Sequence, residues 1–155
     1  MIDFAELLLP TTVIADVTPS SKKAVIQHLA GVIAQAHGLD AKLVSAALAE
    51  RERIGSTGFG GGIAIPHAKF KGLDRIHCLV ARLDQPIEFE SLDNEPVDLI
   101  FVLLAPEHAS GDHLKALARI SRLLREPSAL ERLRAARDAK SLYAVLTQPV
   151  TSHAA

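Results

Sequence analysis

The stretch GSTGFGGGIAIPHAKF, from Gly55 to Phe70, concentrates most of the chemistry this sequence offers. Five glycines fall between Gly55 and Gly62, and a histidine, His67, follows directly on Pro66. Closely spaced glycines let backbone N–H groups approach an anion. Ser56 and Thr57 add hydroxyl donors, and Arg51 and Arg53 lie just upstream with guanidinium forks shaped for a phosphoryl group. The pattern predicts an anion pocket in which Ser56, Thr57, Gly58 and Gly60 contribute donors and His67 stands at the far end.

Nucleotide cradles do not fit this stretch. Gly55 and Gly60 have the spacing of a phosphate-binding loop, but Gly61 and Gly62 occupy the places of its lysine and its serine or threonine. A dinucleotide fingerprint requires a strand before the glycines and a helix after them. The order expected here is the reverse, with a helix ending near Arg51-Glu52-Arg53 and a strand Ile63-Ala64-Ile65 after the loop. Pro66 stiffens the backbone and pushes Ile65 toward an extended conformation, so the His67 imidazole leaves the end of that strand in a restricted direction. The residues alone leave two readings: a histidine making one structural hydrogen bond, or one whose nitrogen bonds to phosphorus.

His113 is the second candidate. It falls in the first turn of a helix opened by Ser110-Gly111-Asp112, with Leu117, Ile120 and Leu124 on the packed face. A helix N-terminus disfavours imidazolium and attracts anions, so a neutral His113 could donate to a phosphoryl oxygen on His67. A histidine that merely starts a helix is the competing reading. No H-E-x-x-H, cysteine pair or G-x-S-x-G elbow is present. A zinc hydrolase would have to draw on His67, His77, His108 and His113, whose spacing matches no metal pattern.

The elements that must position these residues follow from periodicity. Val13 to Val17 reads as an edge strand. A helix opens at Thr18-Pro19-Ser20, carries Val25, Ile26, Leu29, Val32 and Ile33 on one face, and stops at Gly38. Asp40 caps the next helix. Ile76 to Leu83 reads as a strand, and Asp98 to Leu104, apolar without alternation, as a central strand covered on both faces. Helices are expected over Asp112–Arg125, Ser128–Arg134 and Ala139–Leu146, then a loose tail over 148–155. This order predicts an α/β fold, a mixed sheet sandwiched between helices on both faces, as one domain spanning 1–155.

Composition narrows the class. The 155 residues include 17 basic and 18 acidic side chains for a net charge of -1, which argues against a nucleic-acid binder. Cys78 is the single cysteine, the first residues lack the basic start of a signal peptide, and no apolar run suits membrane insertion. The expectation is a soluble cytoplasmic protein with an aliphatic core.

The segment from Glu52 through Phe59-Gly60 to Ile63-Ala64-Ile65-Pro66-His67-Ala68 resembles the phosphorylation-site pattern of enzyme IIA proteins of the fructose/mannitol class in the bacterial phosphotransferase system. The stretches GSTGFGGGIAIPHAK and LDNEPVDLIFVLLAP look most like the nitrogen regulatory branch, and the resemblance runs from about Phe4 to Leu146. Ala68 stands where the family commonly has glycine, and Gly61 where it often has a polar residue. The resemblance implies that His67 is the phosphoryl acceptor, through Nε2, with Arg51 and His113 as its active-site partners; Arg53 has no such counterpart. It also implies an HPr-like phosphocarrier as donor, no cofactor or metal, and regulation of nitrogen-related, potassium-related or metabolic protein targets. The alternatives are a sugar-transport enzyme IIA that passes the group to a IIB domain and, from another class, a metal-dependent hydrolase.

Overall fold

The computed structural model describes residues 4–148 except Pro19 and Ala109. Most of the expected tail, 149–155, and the proline of the expected helix opening therefore lie outside the described residues. Six strands make one sheet: β1 (Val13–Val17), β2 (Gly58–Gly60), β3 (Ile63–Ala64), β4 (His67–Phe70), β5 (His77–Ile87) and β6 (Val97–Pro106). Their order is β1-β5-β6-β3-β2, with β4 also paired to β6. The β1–β5, β3–β6 and β4–β6 ladders are parallel, whereas β5–β6 and β2–β3 are antiparallel, so the sheet is mixed as expected.

Strand β6 shows why its sequence does not alternate. Leu99, Phe101 and Leu103 belong to the core on one face, while Ile100, Val102 and Leu104 belong to the core on the other, and all are essentially inaccessible. A strand buried on both sides needs apolar residues at every position. One face is covered by α2 (Lys22–His37) and α3 (Ala41–Ile54), the other by α1 (Phe4–Leu7), α4 (Ser110–Leu124), α5 (Pro127–Ala135) and α6 (Ala139–Thr147).

The helix signals that frame the site are read locally. Ser21 caps α2 by accepting from the Ala24 N–H, and Gly38 ends it in the left-handed conformation at φ 67°. Asp40 caps α3, accepting from the N–H groups of Lys42 and Leu43. A buried cation anchors the opposite layer. Arg82 of β5 donates to the carbonyls of Leu133 and Ala136 at 2.9 and 2.6 Å, which neutralises the negative end of α5.

Candidate active site

His67 is the first residue of β4 rather than the end of β3. The two strands share one register on β6, with Ala64 opposite Ile100 and His67 opposite Leu103, and Pro66 sits in the gap between them. Proline has no N–H to give, yet its carbonyl still accepts from the Leu103 N–H at 2.9 Å. The interruption thus leaves the strand in line and holds His67 on a backbone fixed to the central strand of the sheet.

Its ring is fixed as well. His67 Nδ1 lies 2.8 Å from the carbonyl oxygen of Ile65. A carbonyl can only accept, so Nδ1 carries the proton and Nε2 keeps its lone pair. Neutral imidazole in this tautomer is a nucleophile with one defined reacting atom.

Helix α4 brings His113 to the same place. Ala116, Ile120 and Leu124 are buried three, seven and eleven residues beyond it, so the packed stripe of the helix runs up to the histidine. The rings of His67 and His113 meet edge to face with centroids 5.4 Å apart and an interplanar angle of 78°. Burial, then repulsion from the His67 ring whenever it is protonated, then the charge of Lys69 hold His113 below the ordinary histidine value. Its position in the first helical turn acts in the same direction. Among the described residues its buried Nδ1 has no hydrogen-bond partner.

Arg51 comes from the last turn of α3. It lines one open cavity of about 490 Å³ together with His67, Lys69, His113 and Ile54. Its Nη1 donates to the Gly55 carbonyl at 2.8 Å, which orients the guanidinium, and among the described residues its other N–H groups have no partner and can meet an anion. Arg53 does not line that cavity; it is ion-paired on the exposed side of α3 to Glu50, which does. The structure therefore brings His67, His113 and Arg51 together and keeps Arg53 apart.

The glycine loop departs from the expected anion pocket. Ser56 donates its hydroxyl to the Phe89 carbonyl at 2.6 Å and accepts from the Gly58 N–H at 3.0 Å. The Thr57 hydroxyl and N–H both go to the Glu52 carboxylate, at 2.6 and 2.8 Å. Neither residue lines the His67 cavity, and neither do Gly58 and Gly60. Gly58 and Gly62 answer a packing demand instead. A Cβ on Gly58 would sit 2.9 Å from the Cα of Ser91. Gly62, at φ +84°, would place one 2.6 Å from the Arg134 guanidinium that clasps Asp98 and the Gly61 carbonyl.

Glu52 is the functional neighbour that pattern reading missed. Its carboxylate, 7% exposed, pairs with Lys22 at 2.9 Å, and Lys22 in turn covers the Phe89 ring at 4.7 Å. This knot ties the end of α3 to the loop after it and so fixes Arg51. The histidines considered for zinc are dispersed. His77 stacks on His37 with centroids 3.5 Å apart, and His108 lines a different cavity. Among the described residues no three His, Cys, Asp or Glu side chains gather as metal ligands, and no helix is long and apolar enough to cross a membrane.

Residues 6–148 match the family model of the phosphoenolpyruvate-dependent sugar phosphotransferase system, EIIA 2. The nitrogen regulatory protein of Bradyrhizobium diazoefficiens is 49% identical over 93% of this chain and 94% of its own length. That of Pseudomonas aeruginosa is 40% identical, over 94% and 96%. The crystal structure of nitrogen regulatory protein IIA-Ntr from Neisseria meningitidis superposes with a TM-score of 0.87 at 33% identity, covering 93% of this chain and 99% of that one. The IIA mannitol structure from Escherichia coli shares the fold at a TM-score of 0.76 and 17% identity. This chain belongs to the EIIA type 2 family of the phosphotransferase system, in its nitrogen regulatory branch.

Proposed function

We propose that the chain is a cytoplasmic phosphoryl-carrying regulator, in which His67 accepts a phosphoryl group on Nε2 from the phosphohistidine of an HPr-like carrier. The phosphorylation state then selects which regulatory target the protein binds. The observation that carries this reading is the contact between His67 Nδ1 and the Ile65 carbonyl, which leaves Nε2 as the free lone pair beside Arg51 and His113.

The step balances without moving a proton. The P–N bond of the donor breaks with its electron pair returning to the donor imidazole, while the Nε2 lone pair forms the new P–N bond. The proton on Nδ1 stays on its carbonyl partner, a contact that strengthens as the ring gains positive character. Little covalent chemistry remains for the protein, so catalysis rests on positioning and on fixed positive ends around the phosphoryl oxygens. Arg51 supplies one such end. Neutral His113 supplies another: an orphaned acceptor is tolerated more readily than an orphaned N–H, so its proton belongs on Nε2, available to the cavity.

Regulation rather than sugar transport is favoured by relatives that are 49% and 40% identical along nearly their whole length and are themselves nitrogen regulatory proteins. The test is reconstitution with phosphoenolpyruvate, enzyme I and the carrier, followed by mapping of the label. Acid-labile, base-stable label confined to His67 is the expected result; label on Ser56, Thr57 or His113 would contradict it.

A further inference from the structure

Lys69 shares the cavity with His67 and is not accounted for by the mechanism above. The two residues alternate along β4 with Ala68, which turns into the core at 9% exposure. Residues two apart on a strand project to the same face, with their Cα atoms about 6.6 Å apart. The lysine stem is long and flexible enough to bring its ammonium over the neighbouring imidazole.

Arg51 gives Nη1 to Gly55 and keeps further N–H groups for an anion, whereas Arg53 is paired to Glu50 and Lys22 is held by Glu52 and Glu90. Lys69 is exposed, and among the described residues it makes no ion pair. Its charge is nevertheless felt in the cavity, where it helps keep His113 neutral. Glu50, the carboxylate that also lines this cavity, is bound to Arg53, which leaves Lys69 beside His67 without an ion pair among the described residues. A phosphoryl group brings about two negative charges to that spot.

We propose that Lys69 is the charge partner of the phosphoryl group once it sits on His67, and that it sets how far transfer runs from the carrier toward the phosphorylated protein. The inference rests on His67 being the acceptor. A solvent-exposed ammonium next to a phosphoryl group is worth up to roughly fivefold in an equilibrium constant, and salt screens it.

The experiment mixes phosphorylated carrier with wild type, Lys69→Gln and Lys69→Arg, and reads the ratio of the two phosphohistidines by phosphorus NMR at low and at high salt. At low salt Lys69→Gln should shift the ratio toward the carrier by roughly two- to fivefold, and Lys69→Arg, which keeps the charge, should restore most of it. High salt should shrink the difference. A proton–nitrogen NMR titration of the unphosphorylated proteins should show the His113 pKa rising in Lys69→Gln, a change that a purely structural role for Lys69 would not produce. Normal labelling of His67 in wild type with an unchanged ratio in Lys69→Gln would overturn the role of Lys69 alone. Equal losses in Lys69→Gln and Lys69→Arg would overturn it too. No label on wild-type His67 would overturn both this inference and the function on which it rests.

Discussion

The Nδ1 atom of His67 sits 2.8 Å from the carbonyl oxygen of Ile65, two residues back across Pro66. One short-range contact thereby decides which nitrogen can react. Proline makes it possible by holding the backbone between the two groups in a restricted conformation. In the proposed function the structural hydrogen bond and the reactive nitrogen, competing readings of the sequence, are the two ends of one ring.

Arg51 and Arg53 should separate cleanly. Arg51 lines the His67 cavity, while Arg53 is paired to Glu50 in solvent. Arg51→Ala should slow phosphorylation by about 2–4 kcal/mol of transition-state stabilisation, roughly 30- to 1,000-fold. Arg53→Ala should change the rate by less than about threefold, the measure of an exposed charge. Single-turnover transfer from the phosphorylated carrier measures both; equal effects would show that the wrong guanidinium has been assigned.

His113→Ala should still be labelled on His67, but more slowly. The substitution removes one hydrogen bond to the phosphoryl group and leaves the nucleophile intact, a loss of about 1–3 kcal/mol. Asn or Gln at this position should recover part of the rate by supplying a neutral donor. Wild-type kinetics and phosphohistidine lifetime in His113→Ala would reduce its role to that of a helix residue.

Gly58→Ala tests the packing role of the glycine loop. The new methyl would meet the Ser91 backbone at 2.9 Å, so one chain must move. A stability loss of about 1–3 kcal/mol is expected, seen as a lower urea midpoint. The transfer rate of the folded protein should stay within about threefold of wild type, less than loss of one phosphoryl hydrogen bond would cause. A large rate loss without a stability change would return Gly58 to the phosphate site.

The layers were legible in the sequence and the loop was not, for a physical reason. Apolar spacing along α2 and α3 and the unbroken apolar run of β6 are local signals, and they yield the sandwich directly. Strand β4 was hidden because Pro66 reads as a strand end, whereas the register continues past it. Strand β2 is three residues of Gly-Phe-Gly, with no pattern to detect. The partners that determine what Ser56, Thr57 and Gly58 do were partly beyond reach. Phe89 lies 33 residues from Ser56, and Arg82 finds its carbonyls 51 to 54 residues away. The Glu52–Thr57 and Ser56–Gly58 bonds, five and two residues apart, are the local ones.

Acid should destabilise the fold through His77. Burial, then the charge of His37, pushes its pKa from 6.5 down to about 4, with Arg75 adding to the fall and Asp74 opposing it. Burial lowers His37 as well. Because the unfolded chain takes up a proton that the folded chain refuses, stability is lost as pH drops from about 6.5 to about 4 and levels off below. Discounted for partial exposure, the loss is about 1–2 kcal/mol. Denaturant titrations across that range should show it, and His77→Phe, which keeps a ring against His37, should flatten the slope. An unchanged slope would place the acid sensitivity elsewhere.

The most direct test of the account is to ask which nitrogen of which histidine holds the phosphoryl group. Protein labelled with nitrogen-15 in its imidazoles, phosphorylated by the carrier, can be read by phosphorus–nitrogen coupling in NMR. The account predicts coupling to His67 Nε2 alone, an Nδ1 proton still bonded to the Ile65 carbonyl, and no label in His67→Ala. Coupling to Nδ1 of His67, or to any nitrogen of His113, would contradict it.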